Sequence, residues 1–341
     1  MRFRPSFKPL LAACAALFAL SAAAETTLTV YTALETDQIG AYQAQFEKEN
    51  PDVKLKWVRD STGVITAKLL AEKANPQADV VMGLAASSLL VLEKEGMLQP
   101  YQPKGFDKLS HNYVDSNNPP SWAGMDVWGA TICFNTVEAA KQGLKKPESW
   151  QDLLKPEYKG KIVMPNPASS GTGYFDITAW LKLFGEKDGW AYMDKLHENI
   201  AQYVHSGSKP CKLAATGEFP IGISFEYRAA DLKAKGAPID LVFPKEGLGW
   251  DLEATGVMKG TKNLDAAKKL ADWSASRSAN DLYKHNFAIV AMPGVAQPNP
   301  LIPANYEQML VKQDLQWTAT NRDRILAEWT RRYDGKSEKK Q

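Results

Sequence analysis

The sequence is poor in the residues that most often announce a metal or a nucleophile. It has 3 cysteines and 4 histidines in 341 residues. That is too few for a disulfide scaffold. His111, His197, His205 and His285 stand alone, with no His-Glu-x-x-His and no Cys-x-x-Cys, so no metal site is expected. Charge of one sign is also missing. Lys+Arg number 41 against 39 Asp+Glu, a formal +2, whereas a nucleic-acid binder needs a basic face to neutralise phosphates. No nucleic-acid partner is expected. Nor does any apolar run reach the ~20 residues of a membrane-spanning helix. What is present is 44% hydrophobic and 10% aromatic residues, the composition of a globular chain with one large or two ordinary domains.

Residues 1–24 are read as a secretory signal peptide. Arg2, Arg4 and Lys8 form a basic start, Leu10 to Leu20 an apolar stretch, and Ser21-Ala22-Ala23-Ala24 the small residues a peptidase reads before Glu25. Leu11-Ala12-Ala13-Cys14 imitates a lipoprotein box, but the apolar run continues past Cys14, and a cleaved, soluble, exported protein is expected. Without the leader the +2 becomes −1, and Cys133 and Cys211 remain. In an oxidising compartment that pair is expected to bridge. Two buried free thiols are the alternative.

Along the chain, Leu28–Thr32, Val53–Trp57 and Asp79–Met82 read as strands. Between them Ile39, Tyr42 and Phe46, then Leu69 and Leu70, recur at helical spacing. This alternation predicts an α/β fold with parallel strands. Further strands are expected at Trp128–Phe134, Ile162–Met164, Ile221–Phe225 and Ile239–Phe243. Helices are expected after Ser170, over 264–273 and over 325–333, with a frayed Lys-rich end beyond Asp334. The chain is expected to return to its first half near Ala254–Met258. Two interleaved lobes fit this order: 25–129 with 256–300, 130–255, and a helical segment at 301–341.

Three short segments could bind an anion. Ser169-Ser170-Gly171-Thr172-Gly173 follows a strand and opens a helix, so hydroxyls and free N–H groups would converge at a positive helix end. A plain N-cap is the alternative. The segment is neither a Walker loop nor a dinucleotide fingerprint. Ser61-Thr62-Gly63 repeats the chemistry in the other lobe, and Ser206-Gly207-Ser208 is a third, weaker candidate. Glu226 and Tyr227 close the strand Ile221–Phe225, where open α/β sheets place ligands, and Tyr31, Thr32 and Glu35 hold the equivalent place in the first lobe. Glu226 is expected to hold an ammonium group, with an ion pair to Arg228 as the alternative. Asp251, beside Trp250, is a further candidate near the hinge. Gly222-Ile223-Ser224-Phe225-Glu226 fails as a nucleophile elbow because Glu stands where the second Gly belongs. An enzyme is not expected.

The opening Leu28-Thr29-Val30-Tyr31-Thr32, the run Trp150–Lys161 and Pro165-Asn166-Pro167 together resemble the extracellular solute-binding proteins of ABC importers, in their ferric-iron and phosphonate-type cluster. The resemblance implies a two-lobed periplasmic-binding-protein fold of type II, each lobe a mostly parallel sheet flanked by helices. It also implies a ligand trapped between the lobes, no cofactor, a monomer in the periplasm, and delivery to an inner-membrane ABC permease. Ser206–Cys211, Ser169–Tyr174 and Ile223–Tyr227 look like the 2-aminoethylphosphonate-binding members, which implies that ligand. Ferric-iron capture by Tyr227, Glu226 and Glu35 is the alternative, although Glu226 departs from the adjacent tyrosines of iron binders.

Overall fold

The computed structural model describes residues 25–339. The leader read at 1–24 lies outside the described residues. The first half runs β1 (Thr26–Thr32), α1 (Thr36–Glu49), β2 (Val53–Arg59), α2 (Thr62–Ala71), β3 (Val80–Ala85) and α3 (Ala86–Lys94). Next come β4 (Ala123–Asn135), α4 (Thr136–Lys141), β5 (Ile162–Pro165), α5 (Gly171–Phe184), α6 (Glu186–Asn199), β6 (Ile200–Val204) and α7 (Lys209–Thr216). The chain continues with β7 (Ile221–Phe225), α8 (Glu226–Ala234), β8 (Ile239–Val242) and β9 (Trp250–Val257). It ends with α9 (Leu264–Ser274), α10 (Arg277–Tyr283), β10 (Ile289–Val290), α11 (Tyr306–Met309), α12 (Leu315–Thr320) and α13 (Arg322–Tyr333).

The helices start and stop where local chemistry dictates. Ser170 caps α5 through the Gly173 N–H, and Gly185, with φ +80°, ends it. Glu35 and Gln38 form a capping box on α1. β3 is buried along its whole length, as a strand covered by helices on both faces must be.

The strands form a path β2-β1-β3-β9-β4-β7-β5-β6. Its outer pairs, β1 with β2 and β3, and β5 with β6 and β7, are parallel. The central pairs are antiparallel. β4 is the long crossover. Its residues 123–129 pair with β9, and residues 130–135 pair with β7 and β8. The two-lobed α/β architecture expected from the sequence is therefore present, and it is parallel only away from the crossover.

Two expectations are corrected. Residues 250–255, placed in the second lobe from sequence, belong to β9, which pairs only with β3 and the first half of β4. The Trp250 indole that suggested a cleft wall donates to the Val311 carbonyl, 2.8 Å. The Lys-rich end does not fray within the described residues. The Glu338 N–H donates to the Tyr203 carbonyl at 2.8 Å, and its carboxylate pairs with Lys209. Ahead of it, Trp329 sits edge-on to Tyr203, centroids 4.8 Å apart, and Tyr333 donates to Asp194. A disulfide joins Cys133 on β4 to Cys211 on α7, Cα atoms 5.3 Å apart, tying the start of the second half to its helical layer.

Candidate functional site

β2 and β5 both deliver the chain to the groove between the halves, and the helices that follow begin there. α2 and α5 come from opposite halves, and their N-termini meet. The Gly63 N–H donates to the Ser169 carbonyl at 2.8 Å. Glycine is required for this approach. A Cβ on Gly63 would lie 2.1 Å from the Ala168 carbonyl oxygen, and one on Gly171 would lie 2.8 Å from Thr62 Oγ1.

The meeting point is one end of a solvent-open cavity of about 40 Å³. Ser61, Thr62, Ser170, Gly171, Thr172, Gly207 and Trp128 line this end. Ser61 is the N-cap of α2, but its side chain makes no capping bond, and neither helix has an acid in its first turn. The Trp128 indole N–H reaches Thr172 Oγ1 at 3.4 Å. Hydroxyls and first-turn N–H groups are thus gathered at two positive helix ends. Phosphate-like oxygens are what such a place binds best.

The other end is lined by Glu35, Gln38, Arg59, Tyr227, Glu253 and Phe287. Gln38 Oε1 accepts from the Glu35 N–H at 2.9 Å, which fixes the orientation of the amide. Its Nε2 is then left buried without a partner, as is Glu253 Oε2. Behind Glu253, directly opposite in register, stands Asp126, fully buried. Burial, followed by repulsion from its acidic neighbours, pushes Asp126 well above the carboxylate range. Burial likewise pushes Glu253 up to about 8. Arg59 is occupied by the Leu34 carbonyl, 3.0 Å, and lies 3.7 Å from Glu35.

Charged contacts hold the groove shut. Arg228 on α8 reaches Asp37 and Glu35 at the start of α1, all at 3.0 Å. His205 meets Asp60 at 2.9 Å. Burial alone would raise the Asp37 carboxyl, but the Arg228 bonds and charge outweigh it and hold the group below its ordinary value.

Of the residues expected from sequence, the structure brings Glu35, Ser61, Thr62, Ser170, Gly171, Thr172 and Tyr227 to the cavity wall. The others do not line this wall. Glu226 turns toward the crossover, where its carboxylate accepts the Gly129 N–H at 2.8 Å, and Arg228 passes it by for the acids of α1. Asp251 is spent on Ser87 Oγ at 2.5 Å and its own strand. Tyr31 donates to Glu72 at 2.9 Å, and Thr32 Oγ1 accepts from the Leu34 N–H. Ser169 donates to the His205 carbonyl, and Ser206 Oγ accepts from the Lys209 N–H. Each is held by local structure beside the cavity rather than in its wall.

Gln38, Arg59, Trp128 and Glu253 were not anticipated, whereas Gly207 belongs to the third candidate segment. Gln38 looked like an ordinary polar helix residue. Asp126 did carry a signal, as the single acid in the long, fully buried β4, whereas Glu253 shares β9 with Asp251. The donors proposed for iron are not assembled. Glu226 faces away, Glu35 is ion-paired, and Tyr227 Oη lies 3.3 Å from Asp37. Among the described residues no group of three or more His, Cys, Asp or Glu is placed to hold a metal, and no helix is long and apolar enough to cross a membrane.

Comparison with known proteins gives this geometry a context. The family described as bacterial extracellular solute-binding protein matches residues 75–319. An uncharacterised protein of Haemophilus influenzae is 33% identical over 271 residues, covering 76% of this chain and 78% of its own. A putative 2-aminoethylphosphonate-binding periplasmic protein of Salmonella paratyphi A is 25% identical over 277 residues, covering 77% and 79%. The structure of the periplasmic binding protein AfuA from Actinobacillus pleuropneumoniae, with fructose-6-phosphate bound, superposes with a TM-score of 0.85 at 30% identity. That match covers 91% of this chain and 99% of AfuA.

Proposed function

The chain belongs to the bacterial extracellular solute-binding proteins, and from that premise we propose that it captures a small organic phosphate for an ABC importer, with a phosphorylated sugar or polyol as the ligand class. The observation that carries this is the pair of helix N-termini meeting at Ser61-Thr62 and Ser170-Gly171-Thr172. Charge-assisted hydrogen bonds contribute roughly 1.5–3 kcal/mol each. Four of them reach the roughly 8 kcal/mol of micromolar binding, with closure to be offset by contacts to the rest of the ligand.

The opposite end selects the tail. Gln38 Nε2 needs an acceptor and Glu253 Oε2 needs a donor. A hydroxyl is both, whereas an ammonium can only donate. The likeness to AfuA with fructose-6-phosphate bound supports the same choice.

A second reading, 2-aminoethylphosphonate, is favoured by the acids Glu35 and Glu253 at the tail end and by the Salmonella relative. A thermal-shift screen, followed by calorimetry, separates the candidates. Fructose 6-phosphate, 2-aminoethylphosphonate, inorganic phosphate, spermidine and Fe(III) would be compared. The expected result is the largest shift with fructose 6-phosphate. A response to spermidine or Fe(III) alone would remove the anion reading altogether.

A further inference from the structure

Asp126 and Glu253 face each other across the β4–β9 register. Asp126 is fully buried, and no donor reaches either of its oxygens. Carboxylates only accept, so two facing each other within a low-dielectric wall repel unless a proton lies between them.

The surroundings supply no substitute for that proton. Glu226 of α8 and Glu35 at the start of α1 face the pair as further acids. Tyr42 of α1 and Tyr283 of α10 are held neutral by burial. Tyr283 donates to Ser274, and the Tyr42 hydroxyl takes a bond from Asn286. Arg59, the cation in the same cavity wall, is occupied by the Leu34 carbonyl and Glu35.

We infer that Asp126 is a positioning residue that keeps its proton at neutral pH and donates it to Glu253, leaving Glu253 as a fixed acceptor for a ligand hydroxyl. The inference rests on the reading of the cavity as an organophosphate site. The upward shift of Asp126, led by burial, agrees with it. Asp126 never touches the ligand. It fixes the orientation of Glu253, and it keeps a second negative charge away from an anionic guest.

Two measurements test this. Carboxyl-resolved carbon NMR of the ligand-free protein should show an aspartate signal, beside that of the equally buried Asp176, still protonated at pH 7 and lost in Asp126→Asn. Calorimetry with fructose 6-phosphate and with inorganic phosphate then compares two variants. Asp126→Asn still donates to Glu253 and should bind fructose 6-phosphate within about threefold of wild type. Asp126→Leu cannot donate and should lose about tenfold or more for fructose 6-phosphate, with inorganic phosphate unchanged. An ionised Asp126 at pH 7, or Leu and Asn variants that bind fructose 6-phosphate alike, would overturn the inference. If wild type bound neither phosphate compound, the organophosphate reading would fail instead, and the NMR result would still decide the state of Asp126.

Discussion

The two ends of the cavity recognise by opposite means. At one end, α2 and α5 supply neutral hydroxyls and backbone N–H groups, and attraction for an anion comes from helix termini without a single committed cation. At the other end, beside Arg59 and Tyr227, Gln38 of α1 and Glu253 of β9 are buried with bonds unmade. The first end is generic for phosphate-like oxygens. The second is particular, because buried donors and acceptors without partners discriminate sharply against a guest that cannot complete them.

The largest predicted effect comes from the glycine that lets the two halves meet. Gly63→Ala places a methyl group against the Ala168 carbonyl, so the groove should no longer close. Small-angle scattering should show no ligand-induced compaction, and affinity should fall by more than about 100-fold, beyond a single hydrogen bond's share. Closure as in wild type would mean that the two helix starts do not act together.

Next comes the generic end itself. Ser61→Ala combined with Thr172→Ala removes two hydroxyls at roughly 1.5–3 kcal/mol each, which corresponds to about a 10²–10⁴-fold loss. The loss should be shared by inorganic phosphate and fructose 6-phosphate. Gln38→Leu acts at the particular end and should cost fructose 6-phosphate about tenfold while sparing inorganic phosphate. Equal losses for both ligands would erase the distinction between the ends.

The smallest effect on binding is predicted for Glu226→Gln, within about twofold, because the carboxylate serves Gly129 rather than the cavity. Its signature is stability instead. Burial pushes Glu226 up to about 8, so the folded state holds its proton more tightly than the unfolded chain. Stability should therefore fall as pH rises from about 4.5 to about 8. Urea titrations at pH 5 and pH 8.5 should show this fall reduced in the variant. A variant that instead loses ligand tenfold would return Glu226 to the binding site.

The same contrast explains what was legible in the sequence. Ser61-Thr62-Gly63 and Ser169–Gly173 could be read because a strand, a hydroxyl run, a glycine and a helix start are local signals. The strand and helix order that builds both lobes was local too. The acidic end depends on register. Nothing near Asp126 in the chain says that Glu253 lies opposite, and nothing near Gln38 says that its capping bond to Glu35 leaves Nε2 unpaired. Glu226 was misjudged for the same reason. Its place at a strand end was right for a ligand, but α8 begins there and turns the side chain toward Gly129. Arg228, read as its partner, crosses the groove to Asp37.

The central claim is that the helix-terminus end binds a phosphate and supplies most of the affinity. Calorimetric titration with fructose 6-phosphate and with fructose, under the same conditions, tests it most directly. Binding of fructose 6-phosphate with no detectable heat from fructose is the predicted result. Comparable affinity for both sugars would contradict it.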